Sequence, residues 1–206
     1  MISPHRPTLG VVESPALSLT EWVALAIVAE APTHGFAIAR LTSPTGPVGT
    51  VWQVPRPLVY RALDRLLELG LAESLGNAPG SSGPQRRLLG VTESGRVAVT
   101  GWLVRPVGHI RDIRTEFLIK LTLLGRAGLD TRPLLDSQAE RLRPIVTGLR
   151  DQCDAAHGLD LAVASWRYET AAAALRLTES AGDDAPAWGA GPGAGGVRRG
   201  QGGAHG

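Results

Sequence analysis

The chain has 206 residues, 43% of them hydrophobic and 19% charged, with a formal net charge of +2 and a sequence pI near 9.2. That is enough apolar material for one good core and a smaller helical region, and too little net charge for a histone-like polycation. One cysteine excludes an internal disulfide and a cysteine-rich zinc site, and no run reaches the roughly 18 apolar residues of a membrane helix.

Residues 1–16 read as a flexible N-terminus with no signal-like apolar run, so cytoplasmic residence is expected. A first helix is predicted over 19–30, with Thr20 as its cap and Trp22, Val23, Ala26, Ile27 and Glu30 at helical intervals. Ala31-Pro32-Thr33-His34-Gly35 breaks it, with His34 as a turn residue, and a short helix follows over 36–41. The connector 43–53 contains Pro44, Gly46, Pro47 and Gly49 and is longer than a minimal turn.

The next helix is the most informative. Pro57 suits a first turn, and Gly70 supplies a left-handed stop. Val59, Ala62, Leu63, Leu66 and Leu67 share one face, while Arg56, Tyr60, Arg61, Asp64 and Arg65 occupy the other, a surface suited to a polar, anionic partner. Strands are predicted over 71–75 and 85–91 around a turn-rich tip at 76–84, with Arg86 and Arg87 near the base of this hairpin. Thr92 is the candidate N-cap of a further helix, and Glu93 sits where the helix dipole favours an anion. Helix, hairpin, helix is the order of a winged helix.

From residue 112 the pattern becomes helical. A helix over 112–124 places Ile113, Phe117, Leu118, Leu121 and Leu124 on one stripe, and 125–130 ends it. A second helix, 131–153, has Thr131 as cap and Pro133 in its first turn, and Pro144 is expected to kink or split it. The alanine-rich third, 159–177, carries Leu161, Ala164, Trp166, Ala171, Ala174 and Leu175, more apolar surface than a lone helix hides. Residues 181–206 are so rich in glycine that a disordered tail is expected. The fold class is thus mainly α with a small β-hairpin wing. Its parts are a flexible start (1–16), a winged helix-turn-helix domain (17–104), a helical region (105–180) and the tail (181–206).

An ordered set of motifs resembles the PadR-like transcriptional regulators over residues 17–177. It comprises Leu19-Thr20-Glu21-Trp22-Val23-Ala24-Leu25, Pro32-Thr33-His34-Gly35-Phe36, Trp52 and Val59-Tyr60-Arg61-Ala62-Leu63-Asp64-Arg65-Leu66. Gly70-Leu71, Val91-Thr92-Glu93-Ser94-Gly95 and Arg114-Thr115-Glu116-Phe117-Leu118-Ile119-Lys120-Leu121 continue it. The resemblance implies a repressor that binds double-stranded DNA at a pseudo-palindromic operator as a homodimer, because a palindrome is matched by a two-fold axis. Residues 58–69 would enter the major groove. Arg56, Leu58, Tyr60, Arg61 and Arg65 are the candidate contacts there, and Arg86 and Arg87 those of the wing.

In such regulators the C-terminal helices dimerise, which makes Phe117, Leu121, Leu161, Trp166, Ala171 and Leu175 candidate partner-facing residues. A small apolar or aromatic effector near Trp102 is a further implication, since that ring falls where the two regions join. No catalytic group, cofactor or metal is expected: there is no nucleophile elbow, no phosphate-cradling glycine loop and no clustered acid and base. The alternative function is a winged-helix protein-interaction adaptor without DNA binding.

Overall fold

The computed structural model describes residues 16–78 and 86–188, which form two compact units. The first contains residues 16–38 and 56–102, and the second contains 39–55 and 103–188. Assigning all of 17–104 to one domain is therefore corrected, because the connector folds with the C-terminal unit. It coils tightly on itself: the Val48 and Gly49 amides both donate to the Leu41 carbonyl, and Val54 N–H donates to Thr42. A Cβ at Gly46 or Gly49 would lie 2.2 or 1.7 Å from a carbonyl oxygen, so only glycine admits these turns.

In the first unit α1 (Leu19–Glu30) is capped by Ser18 rather than Thr20. Ser18 Oγ accepts from Glu21 N–H, and the Glu21 carboxylate accepts from Ser18 N–H at 2.6 Å, which satisfies two end donors reciprocally. Helix α2 (Gly35–Leu41) follows, then α3 (Arg56–Glu68), whose Val59, Ala62, Leu63 and Leu66 are buried, with α3 packed on α1. Strands β1 (Ala72–Ala78) and β2 (Arg86–Val91) pair antiparallel, and α4 (Glu93–Val104) begins beyond them. Strand β1 runs past the expected end at residue 75 because Gly76, at φ 98°, absorbs a bulge in the ladder between Ser74 and Asn77. Thr33 adds a third, single-residue rung by exchanging both backbone hydrogen bonds with Leu89. Of the expected tip, 76–84, residues 76–78 belong to β1, and 79–84 lie outside the described residues, as does residue 85 of the expected second strand.

The second unit opens with a 3-10 turn (Ile110–Asp112) and a π-helical turn (Ile113–Phe117) that run into α5 (Leu118–Arg126). Gly128, at φ 66°, ends α5 with paired backbone bonds from Gly128 to Gly125 and from Leu129 to Leu124. Helix α6 (Arg132–Ala155) is one element, so Pro144 does not split it. Pro144 and Glu140, whose carbonyl loses its donor, are both exposed, and water can supply that bond. Thr131 makes no side-chain cap; the Asp130 carboxylate takes the Arg132 N–H at 3.0 Å instead.

Helix α7 (Gly158–Trp188) packs along α6 and extends beyond the expected end at 177. Residues 181–188 are therefore helical, a correction to the expected tail: Ala181 is buried, and the glycine-dense run starts only at 189. Residues 189–206 and 1–15 lie outside the described residues. Among the described residues no helix is long and apolar enough to cross a membrane.

Two buried polar groups organise this unit. Gln138 lies against the backbone of Val107, accepting its N–H at 2.8 Å and donating to its carbonyl at 3.4 Å. Lys120, 1% exposed, donates to the Arg105 carbonyl and pairs with Glu116 at 2.7 Å. Burial holds its pKa below that of an ordinary lysine, against the opposing pull of the Glu116 carboxylate.

Candidate nucleic-acid interface

The basic helix α3 is fixed at its C-terminus by local chemistry and at its N-terminus by contacts from elsewhere. Gly70, at φ 65°, lets Gly70 N–H reach Leu67 and Leu71 N–H reach Leu66, which closes the last turn. The Gly70 carbonyl then accepts from Thr92 Oγ1 at 2.7 Å and from Ser94 Oγ at 3.1 Å. Thr92 Oγ1 also accepts the Gly95 N–H, so one hydroxyl caps α4 as expected and ties it to the end of α3. A Cβ at Gly95 would lie 2.0 Å from the Leu71 carbonyl, so this junction requires glycine.

The N-terminus of α3 meets α2. His34 Nδ1 accepts the Ala37 N–H at 3.0 Å, which makes His34 the side-chain cap of α2 rather than a mere turn residue. Gly35 packs under Tyr60, where a Cβ would lie 2.8 Å from ring atom Cε1. The Arg56 guanidinium sits 5.5 Å from the Phe36 ring centroid and 5.6 Å from that of Tyr60, with Nη2 donating to Tyr60 Oη at 3.4 Å. Residues of α2, α3 and β2 enclose a cleft of 520 Å³ whose rim includes Phe36, Arg56, Tyr60 and Arg87, with Leu63 and Leu89 deeper.

Of the sequence-predicted contacts, Arg56, Tyr60, Arg61, Arg65 and Arg87 are exposed. Leu58 is half-buried, and Arg65 is held by Glu68 at 3.2 Å. Arg86 pairs with Ala78 across the hairpin, and its side chain lies outside the described residues. Sequence reasoning missed Phe36 and the capping role of His34. A histidine three positions before an early helical amide was the available signal for the second.

The first unit is a winged helix. No family model and no curated protein matches the chain. Among solved structures it is similar to PadR of Bacillus subtilis in complex with operator DNA, at 14% identity, TM-score 0.43, over 84% of this chain and 97% of that one. The same protein with p-coumaric acid gives 16% identity and TM-score 0.36 over 79% and 92%. The Vibrio cholerae virulence activator AphA gives 20% identity and TM-score 0.34 over 83% and 95%.

Trp102 belongs to the core of the winged helix. Its ring stacks on Trp22, and both are buried. In the C-terminal unit Phe117, Leu121 and Ala171 are buried within the unit itself, which corrects their assignment as partner-facing. Leu175 is half-buried. Leu161 and Trp166 remain exposed, and Leu159, Val163 and Trp166 make a stripe on α7 at helical spacing, with Trp166 74% exposed.

Proposed function

We propose that this chain is a DNA-binding transcription regulator that acts in the cytoplasm as a homodimer and represses from a pseudo-palindromic operator. The observation that carries the reading is the exposed face formed by Arg56, Tyr60, Arg61 and Arg65 of α3 with Arg87 of the wing. An α-helix fits the major groove of B-DNA, and a wing arginine beside it falls within reach of the flanking phosphates. The likeness of its motifs to the PadR-like regulators supports the same reading.

The exposed stripe Leu159, Val163 and Trp166 is proposed as the two-fold contact, since an apolar row of this kind is covered when a second α7 packs on it. A small apolar or aromatic effector near Trp102 belongs to the same proposal. No catalytic role is proposed. The test is selection of genomic fragments by the purified protein at physiological salt. Enrichment of a shared pseudo-palindrome is the expected result, and recovery of no preferred sequence would overturn the reading.

A further inference from the structure

The arginines of the α3 face are not equivalent, and their surroundings separate them by role. Arg65 has its guanidinium engaged with Glu68 one turn away. Arg87 stands on a strand of the wing, opposite Asn77. Arg56 opens α3, and its guanidinium lies over two aromatic rings that belong to different helices, Phe36 of α2 and Tyr60 of α3. Three features fix this cluster. Pro55 and Pro57 flank Arg56 and restrict its backbone. Gly35 leaves room for the Tyr60 ring, and His34 caps the turn that carries Phe36.

The Arg56 guanidinium gives one Nη2 donor to Tyr60 Oη, and its cation–π contacts with the two rings leave the remaining in-plane edge donors for a further acceptor. Those edge donors are what a guanine accepts through O6 and N7, in a bidentate pair that needs a planar, oriented donor. A phosphate contact makes no such demand and tolerates a mobile side chain. Ordering a long arginine beforehand also lowers the entropy lost on binding. The position agrees with the chemistry, because the N-terminal residues of a recognition helix are those that reach base edges.

Resting on the DNA-binding function proposed above, we infer that Arg56 reads a guanine edge in each half-site. Phe36, which lies outside the recognition helix, acts as the positioning residue that orients it. The specificity of the protein thus depends on a side chain of α2 that need not touch DNA.

The experiment is selection from a randomised duplex pool, followed by titration of the selected site at several salt concentrations. It compares the full-length protein with Arg56→Ala, Phe36→Ala and Phe36→Tyr. The unsubstituted protein should prefer guanine at one position per half-site by about tenfold to a hundredfold, as a bidentate arginine–guanine pair allows. Arg56→Ala should abolish that preference, leave the other selected positions unchanged and leave the salt slope nearly unaltered. Phe36→Ala should reduce the same preference at the same position, and Phe36→Tyr should restore it, a pattern that simple loss of folding would not give.

A uniform loss of affinity for all sequences in Arg56→Ala, with a shallower salt slope, would make Arg56 a phosphate contact and overturn the inference while leaving DNA binding intact. Unchanged selection in Arg56→Ala would overturn it as well. Absence of DNA binding by the unsubstituted protein would overturn this inference together with the function on which it rests.

Discussion

Trp22 of α1 and Trp102 of α4 stack with 5.3 Å between ring centroids and 2° between ring planes. Both rings are buried, so the first and last helices of the winged helix meet through one aromatic pair. Trp102→Ala should remove about 3–5 kcal/mol of stability, the usual loss for truncating a large buried ring. Denaturant unfolding followed by far-UV circular dichroism measures it. A loss below ~1 kcal/mol would mean that the stack is dispensable.

Salt dependence provides a separate check on the basic face. Each neutralised phosphate adds close to ~0.9 to the slope of log affinity against log salt. Arg61→Ala and Arg87→Ala should each make the slope shallower by about that amount and weaken binding to all duplexes alike. A flat salt response in the unsubstituted protein would show the arginines to be a merely solvated surface.

Lys120 gives the C-terminal unit a defined response to pH. Its pKa is lowered by burial, so between that value and the ordinary 10.5 the folded chain holds fewer protons than the unfolded one. Stability then rises with pH across that window, while below it the ammonium is charged in both states and the full cost of burying it is present. Urea unfolding of the protein and of Lys120→Met, run from neutral to alkaline pH, should show the difference moving in favour of the native lysine as pH increases. A constant difference would mean that burial does not shift the amine.

The stripe on α7 makes a prediction about assembly. Val163 is half exposed, at 50%, between Leu159 and Trp166. Val163→Asp should therefore leave the fold intact and convert a dimer to a monomer in sedimentation, with operator affinity lowered accordingly. Phe117→Ala should instead destabilise the unit, by about 3–5 kcal/mol, because that ring is fully buried within it. A dimer that survives Val163→Asp would place the two-fold contact elsewhere.

Much of the winged helix was legible because its signals are local. The end of α3 at Gly70 and the Thr92 cap of α4 follow from residues within five positions of one another, and periodicity alone separates buried Val59 and Leu63 from exposed Arg61. What escaped depends on distant partners. The connector belongs with the C-terminal unit, which its own local turns do not announce, and the rung between Thr33 and Leu89 spans the whole of α2 and α3. The grip of Phe36 on Arg56 likewise joins side chains that are remote in sequence. Buried Phe117 and Leu121 read as partner-facing because a helical stripe does not say whether the covering surface comes from the same chain.

The Gly70 carbonyl, held by Thr92 and Ser94, staples the two ends of the hairpin at its root. The junction of α3 with α4 is thereby held at the base of the hairpin by three residues, Gly70, Thr92 and Ser94, and not by the strands above them. A substitution along β1 or β2 can then alter the hairpin while the C-terminal end of α3 keeps its seat.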